Sequence, residues 1–187
     1  LDKDTVIVAG KRRDQKIILA STDDHFPLAE FVLEAEIPRS ERGTWENYVK
    51  AGAQAYIRSY GQDQINGMNA VVAGHSPYSV PLAAGLSSSS ALVVSATVAL
   101  GHLNEITMES KLFARFCGEA EWYVGTRGGF MDHLTSILSQ RGHVLFLDCR
   151  PVKNFEKETF ITEDLPLPQE YDVAICNTNV GKEKAAS

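Results

Sequence analysis

The sequence predicts an α+β fold or a mixed α/β sandwich, and three observations predict it. Short β-branched runs come in pairs, segments with helical apolar spacing lie between them, and no G-x-G-x-x-G follows a strand as a dinucleotide-binding fold requires. The chain has 187 residues, 44% of them apolar and 22% charged. That suits a single globular domain, and neither an internal repeat nor a linker divides it.

Residues 5–9 (TVIVA) and 16–20 (KIILA) flank GKRRDQ, a connector carrying glycine and charge, which reads as a β-hairpin. In EFVLEAEI, Phe31, Leu33 and Ala35 alternate with other residues, giving a third strand that ends before Pro38. From Trp45 to Tyr60 the apolar positions Trp45, Tyr48, Val49, Ala53, Tyr56 and Ile57 follow helical spacing, and Gly61 is a stop signal. Residues 67–73 (GMNAVVA) are the next strand, and GHSPYSVP with its two prolines is a turn-rich connector. A helix is expected from about Ser88 to Leu103. A second runs from about Ser110 to Val124, its apolar face made of Leu112, Phe113, Phe116, Ala120 and Tyr123. The loop GTRGG leads to a short helix, DHLTSILSQ, that stops at Arg141-Gly142. VLFLD, closed by Asp148 and Pro151, and YDVAICN are two further strands.

The net charge is −6 and the basic residues are scattered, so the concentrated positive stripe of a nucleic-acid groove is missing. Cys117, Cys149 and Cys176 are isolated, without C-x-x-C spacing. That fits a reducing cytoplasm and gives no metal signature. The longest apolar run, Ala91 to Leu100, is too short to cross a bilayer, so no membrane partner is expected. The chain opens Leu-Asp-Lys-Asp with neither an initiator methionine nor a signal peptide and stops at GKEKAAS, so we read it as part of a longer protein.

The stretch PLAAGLSSSSALVVSATVAL, residues 81–100, sets four serines directly before an apolar helical run. A helix start leaves N–H groups without partners and carries the positive end of the dipole, so an anion is stabilised there. Pro81, Ala83, Ala84, Gly85 and Leu86 are mostly small and would let backbone approach a phosphate, while Ser87, Ser88 and Ser89 add hydroxyl donors. A hydroxyl can also ligate Mg²⁺, a hard cation that prefers oxygen. This would be a nucleotide-phosphate cradle without the Walker G-K-[ST]. Serines capping an ordinary buried helix account for the same spacing. Asp132 is open to two readings as well. Gly128 and Gly129 precede it and leave room for a substrate, and a carboxylate can accept a hydroxyl proton during phosphoryl transfer. Aspartate is equally a favoured helix cap.

PLAAGLSSSSALV resembles the serine-rich ATP motif of the GHMP small-molecule kinases. Three further segments, TWENYVK, GTRGGFMDHLTSILSQRGHVLFLDCRP and NTNV, are similar in order to segments of the galactokinase branch. The resemblance runs over almost the whole chain. It implies the N-terminal GHMP domain over residues 1–187, cut at both ends, with a mixed sheet backed by helices and a left-handed β-α-β unit. It implies ATP and a small-molecule sugar as partners, Mg²⁺ as cofactor, and transfer of the γ-phosphoryl group to the anomeric hydroxyl of galactose or a related sugar. Asp132 matches the catalytic aspartate, Gly129 borders the sugar, and Ser89 and Glu121 bind the metal, with Glu119 a possible substitute for Glu121. Trp45 and Tyr48 match residues against the adenine, although helix aromatics also pack into cores.

The match has departures. Gly128 stands where the family carries cysteine and His133 where it carries glutamine, which opens arabinose, uronic acid or fucose as acceptors. The family's N-terminal sugar-gripping stretch, its third glycine-rich motif and its C-terminal domain have no counterpart here, so this piece alone is expected to be inactive. A non-catalytic sensor of sugar and ATP is the alternative from another class. Asp23, Asp24 and His25 read as a surface turn, His133 and His143 as structural, and Cys149 as a buried strand-end thiol.

Overall fold

The computed structural model describes residues 3–74, 79–81, 85–148, 150, 160–171, 173, 174 and 176. Four strands form one mixed sheet: β1 (Val6–Lys11), β2 (Lys16–Ser21), β3 (Ala29–Val32) and β4 (Met68–Ala73), in the order β1-β4-β2-β3. The helices are α1 (Glu46–Tyr60), α2 (Ser88–Leu103), α3 (Ser110–Glu121) and α4 (Met131–Leu138). A separate antiparallel ribbon pairs β5 (His143–Asp148) with β6 (Ile161–Pro166), Val144 opposite Leu165.

Alternation decides which face of the sheet is buried. Ile17 and Leu19 of β2, Phe31 of β3 and Met68 and Ala70 of β4 point the same way and meet Val49, Ala53 and Tyr56 of α1 and Leu100 of α2. Each leucine or isoleucine fully buried in this way contributes about 1.5–3 kcal/mol relative to exposure. The helices thus back one face of a mixed sheet, the predicted α+β arrangement. Helix α2 begins and ends at the predicted residues, and Gly61, at φ 90°, closes α1 as expected.

The expected β1–β2 hairpin does not form. β4 lies between the two strands, antiparallel to β1 (Val8 opposite Val71) and parallel to β2 (Leu19 opposite Ala70). The connector between β1 and β2 is splayed to admit it. Arg12 N–H donates to Gly67 O (2.9 Å), Gly67 N–H to Asp14 O (2.7 Å), and the Arg12 guanidinium grips both the Asp14 carboxylate and Asn69. A strand with alternate residues buried wins a central place over a neighbour that is merely close in sequence.

The third strand is shorter than predicted. Its ladder ends at Val32, and the buried Gln54 of α1 satisfies the chain beyond, with Nε2 donating to Ala35 O and Oε1 accepting from Ile37 N–H (2.9 and 2.6 Å). Leu112 is 50% exposed instead of buried. It lies five residues from the buried Cys117, on the far side of a 3.6-residue turn. The α3 helix itself ends at Glu121, and Trp122–Val124 tighten into a 3₁₀ turn. The strand expected over YDVAICN is not seen. Tyr171, Val173, Ala174 and Cys176 are exposed with no strand pairing among the described residues, and Asp172, Ile175 and Asn177 lie outside them. The partner of β5 is instead Ile161–Pro166, whose acidic residues and proline hide its strand character.

Candidate active site

The serines sit where an anion site would have to begin. The first helical bond of α2 runs from Ala91 N–H to Ser87 O (2.9 Å), so the N–H groups of Ser88, Ser89 and Ser90 precede it, and among the described residues no side-chain cap bond is made at this end. The capping account of the serines therefore does not hold for Ser87: it occupies the cap position but makes no cap bond. Ser87 and Gly85 both take left-handed backbone (φ 56° and 77°). A left-handed residue followed by helical ones turns successive N–H groups toward one concavity, a geometry that favours anions. Holding a serine there costs on the order of 1 kcal/mol, strain of the kind that accumulates at functional sites.

Asp132 lies in the first turn of α4, whose cap position is Phe130, so the aspartate is not the cap. What places it is the packing of the preceding loop. Gly118 of α3 leaves space for Phe130, since a Cβ there would come within 2.4 Å of the ring. Phe130 stacks obliquely on Trp122, whose indole N–H donates to Gly128 O (3.4 Å) while Arg127 covers its ring. Gly128 and Gly129 themselves face open space. A half-buried carboxylate is thereby presented next to a stretch of backbone without side chains.

Glu121 closes α3 with its side chain 13% exposed. Its Oε2 accepts from Ser90 Oγ (2.8 Å) and lies 2.8 Å from His133 Nε2. Burial, and then the Glu121 charge, push the Tyr48 phenol above its ordinary range, so this hydroxyl stays protonated. Glu119 points elsewhere, into an exposed pair with Arg115 (2.8 Å).

The serines, Glu121, Tyr48 and Asp132 border one cleft of about 1080 Å³. Pro81, Gly85, Ser87, Ser88 and Ser89 line one part of it, and Gly129, Asp132 and Glu121 another. Of the sequence candidates, Leu86 does not line it, and Ala83 and Ala84 lie outside the described residues. Trp45 and Tyr48 border it, but Trp45 is chiefly a core residue, 7% exposed, with its indole N–H donating to Pro27 O (3.2 Å).

Two residues set aside on sequence grounds also belong to this cleft. Asp23 lines it from the turn after β2, where the His25 N–H and ring hold its carboxyl below the usual range. His133 lines it as well, whereas His143 is exposed and Cys149 lies outside the described residues. A turn aspartate and a lone histidine carry no local signal, since only packing brings them to the cleft.

Residues 47–140, just over half of the chain, match the family described as GHMP kinases N terminal domain. The chain belongs to the GHMP kinases. Over 174 residues this GHMP domain is 36% identical to the galactokinases of Haemophilus influenzae strains PittGG and KW20/Rd, which covers 92% of the chain and 42% of each relative. It superposes on Lactococcus lactis galactokinase complexed with galactose with a TM-score of 0.71 and 26% identity, covering 88% of this chain and 39% of that one. Methanococcus jannaschii mevalonate kinase shares the fold alone, at TM-score 0.60 and 15% identity. The chain thus spans about two fifths of the length of its galactokinase relatives.

Proposed function

We propose that the protein carrying this domain is an ATP-dependent sugar kinase that phosphorylates the C1 hydroxyl of galactose or a close relative. The observation that carries the reading is the single cleft in which an uncapped helix start, Glu121 and Asp132 meet. In this reading the N–H groups and hydroxyls of Ser87, Ser88 and Ser89 hold phosphate oxygens of ATP. Tyr48 and the edge of Trp45 flank the base. Asp132 accepts the proton of the sugar hydroxyl as its oxygen bonds to the γ-phosphorus and the bridging bond to ADP breaks. The open backbone at Gly129 leaves space for the sugar beside that carboxylate.

The residues fit a magnesium ion. Among the described residues no cluster of three or more acidic, histidine or cysteine side chains could cage a metal. Mg²⁺ typically needs only one or two protein oxygens beside substrate phosphates, and Ser89 and Glu121 would supply them. When bound, the ion neutralises charge on the transferred group.

The other active-site parts of a galactokinase have no counterpart among the segments matched here, so we propose that this domain alone does not turn over. Isolated cysteines support a cytoplasmic reading. Gly128 and His133 favour a second reading with the same mechanism and another sugar. A single assay separates these. The full-length protein with Mg-ATP is offered hexoses, pentoses and uronic acids, ADP release is followed, and ³¹P NMR locates the phosphate. We expect turnover with galactose and product carrying phosphate at C1. Turnover confined to another sugar would select the second reading, and ATP and sugar binding without any turnover would refute both.

A further inference from the structure

We propose that His133 is a positioning residue that orients the Glu121 carboxylate, an inference that rests on Glu121 being the cation ligand. His133 is 2% exposed, so its ring is cut off from water. Nε2 lies 2.8 Å from Glu121 Oε2, the same oxygen that accepts the Ser90 hydroxyl at 2.8 Å. Groups from α2 and α4 thus converge on one oxygen of a side chain at the end of α3. Neither ring nitrogen has an aligned hydrogen-bond partner among the described residues. A histidine kept only to fill a core would either find such partners or give way to an apolar residue. Here the polarity of the ring is directed at a carboxylate on the cleft wall instead.

The consequence is geometric. With the Ser90 hydroxyl bonded to this oxygen and the buried His133 ring packed 2.8 Å from it, the carboxylate is confined on two sides before a ligand arrives, and such outer partners strongly affect metal affinity. His133 also adjoins Asp132 in the first turn of α4, so one turn of helix fixes the carboxylate of α3 relative to the base.

Two substitutions at this position separate positioning from packing. His133→Phe keeps a buried ring and removes the donor, while His133→Gln gives up the ring and keeps an N–H donor. Full-length protein is titrated with Mn²⁺ in the presence of a non-hydrolysable ATP analogue, with free Mn²⁺ read by electron paramagnetic resonance and folding checked by thermal midpoint. We expect roughly tenfold weaker Mn²⁺ binding in His133→Phe, the lower end of second-shell effects, and binding within about threefold of the parent in His133→Gln. Binding within about twofold of the parent in His133→Phe, while Glu121→Gln weakens it, would overturn the positioning role and leave the cation site standing. Unchanged binding in Glu121→Gln would remove both.

Discussion

Replacing Asp132 with asparagine in the full-length protein lowers kcat for the sugar by roughly 10²–10⁴-fold and leaves nucleotide affinity within about twofold. Asparagine keeps the volume and one carbonyl oxygen but cannot accept the hydroxyl proton, so the loss isolates proton transfer from positioning. The helix start at α2 is a different element, and nothing in its backbone geometry depends on the Asp132 carboxylate. Steady-state kinetics with titration of a fluorescent nucleotide measures both quantities on the same sample. A loss of base chemistry appears in kcat, whereas a misplaced sugar would appear mainly in KM. Retained kcat would assign the proton acceptor elsewhere, with Asp23 one of the other carboxylates on the cleft.

Gly67→Ala costs roughly 3 kcal/mol of stability, at the upper end of overpacking effects. The added methyl would stand 1.9 Å from Lys16 O and 2.6–2.8 Å from its carbonyl carbon and nitrogen. Those are backbone atoms of β2, so no rotamer change can make room. Relief requires β4 to move away from β2, which breaks the parallel ladder at its start. The chain after β4 leads toward the serine segment, so the same shift would loosen the cleft wall at Val72, Ala73 and Gly74. A thermal midpoint lowered by several degrees, together with weaker nucleotide binding, is the expected result. An unchanged midpoint would mean that β4 does not pass so close to Lys16.

Both expectations concern places where the sequence was legible to different degrees. Helix α2 could be bounded from its letters because an apolar run starts immediately after the serines, and local spacing is what a helix obeys. The glycines before Asp132 left it open between a substrate-facing carboxylate and a helix cap, and only the resemblance of the whole segment favoured the first. The position of β4 was not legible. Adjacency and a charged connector argue for a β1–β2 hairpin, while the actual pairing depends on a strand some fifty residues later, and no window of sequence contains both. Gln54 is a similar case. On a helical wheel it is one more polar residue, yet it lies buried as the substitute for a missing strand ladder. His133 and Asp23 escaped because side-chain type says what a residue can do, and only the packing around it says what it faces, as with Trp45, which borders the cleft while most of its ring is buried in the core. Glu121 and Glu119 differ by two residues and could be ranked by letters alone, but it took the fold to show which of them borders the cleft.

The central claim is that one cleft holds the triphosphate at the start of α2 and the acceptor sugar at Asp132. A crystal structure of the full-length protein with galactose, Mg²⁺ and a non-hydrolysable ATP analogue tests it most directly. We predict phosphate oxygens within hydrogen-bond distance of the N–H groups or hydroxyls of Ser87–Ser89, and the C1 hydroxyl about 3 Å from the Asp132 carboxylate. A triphosphate bound away from α2, or a sugar whose C1 hydroxyl faces away from Asp132, would contradict the account.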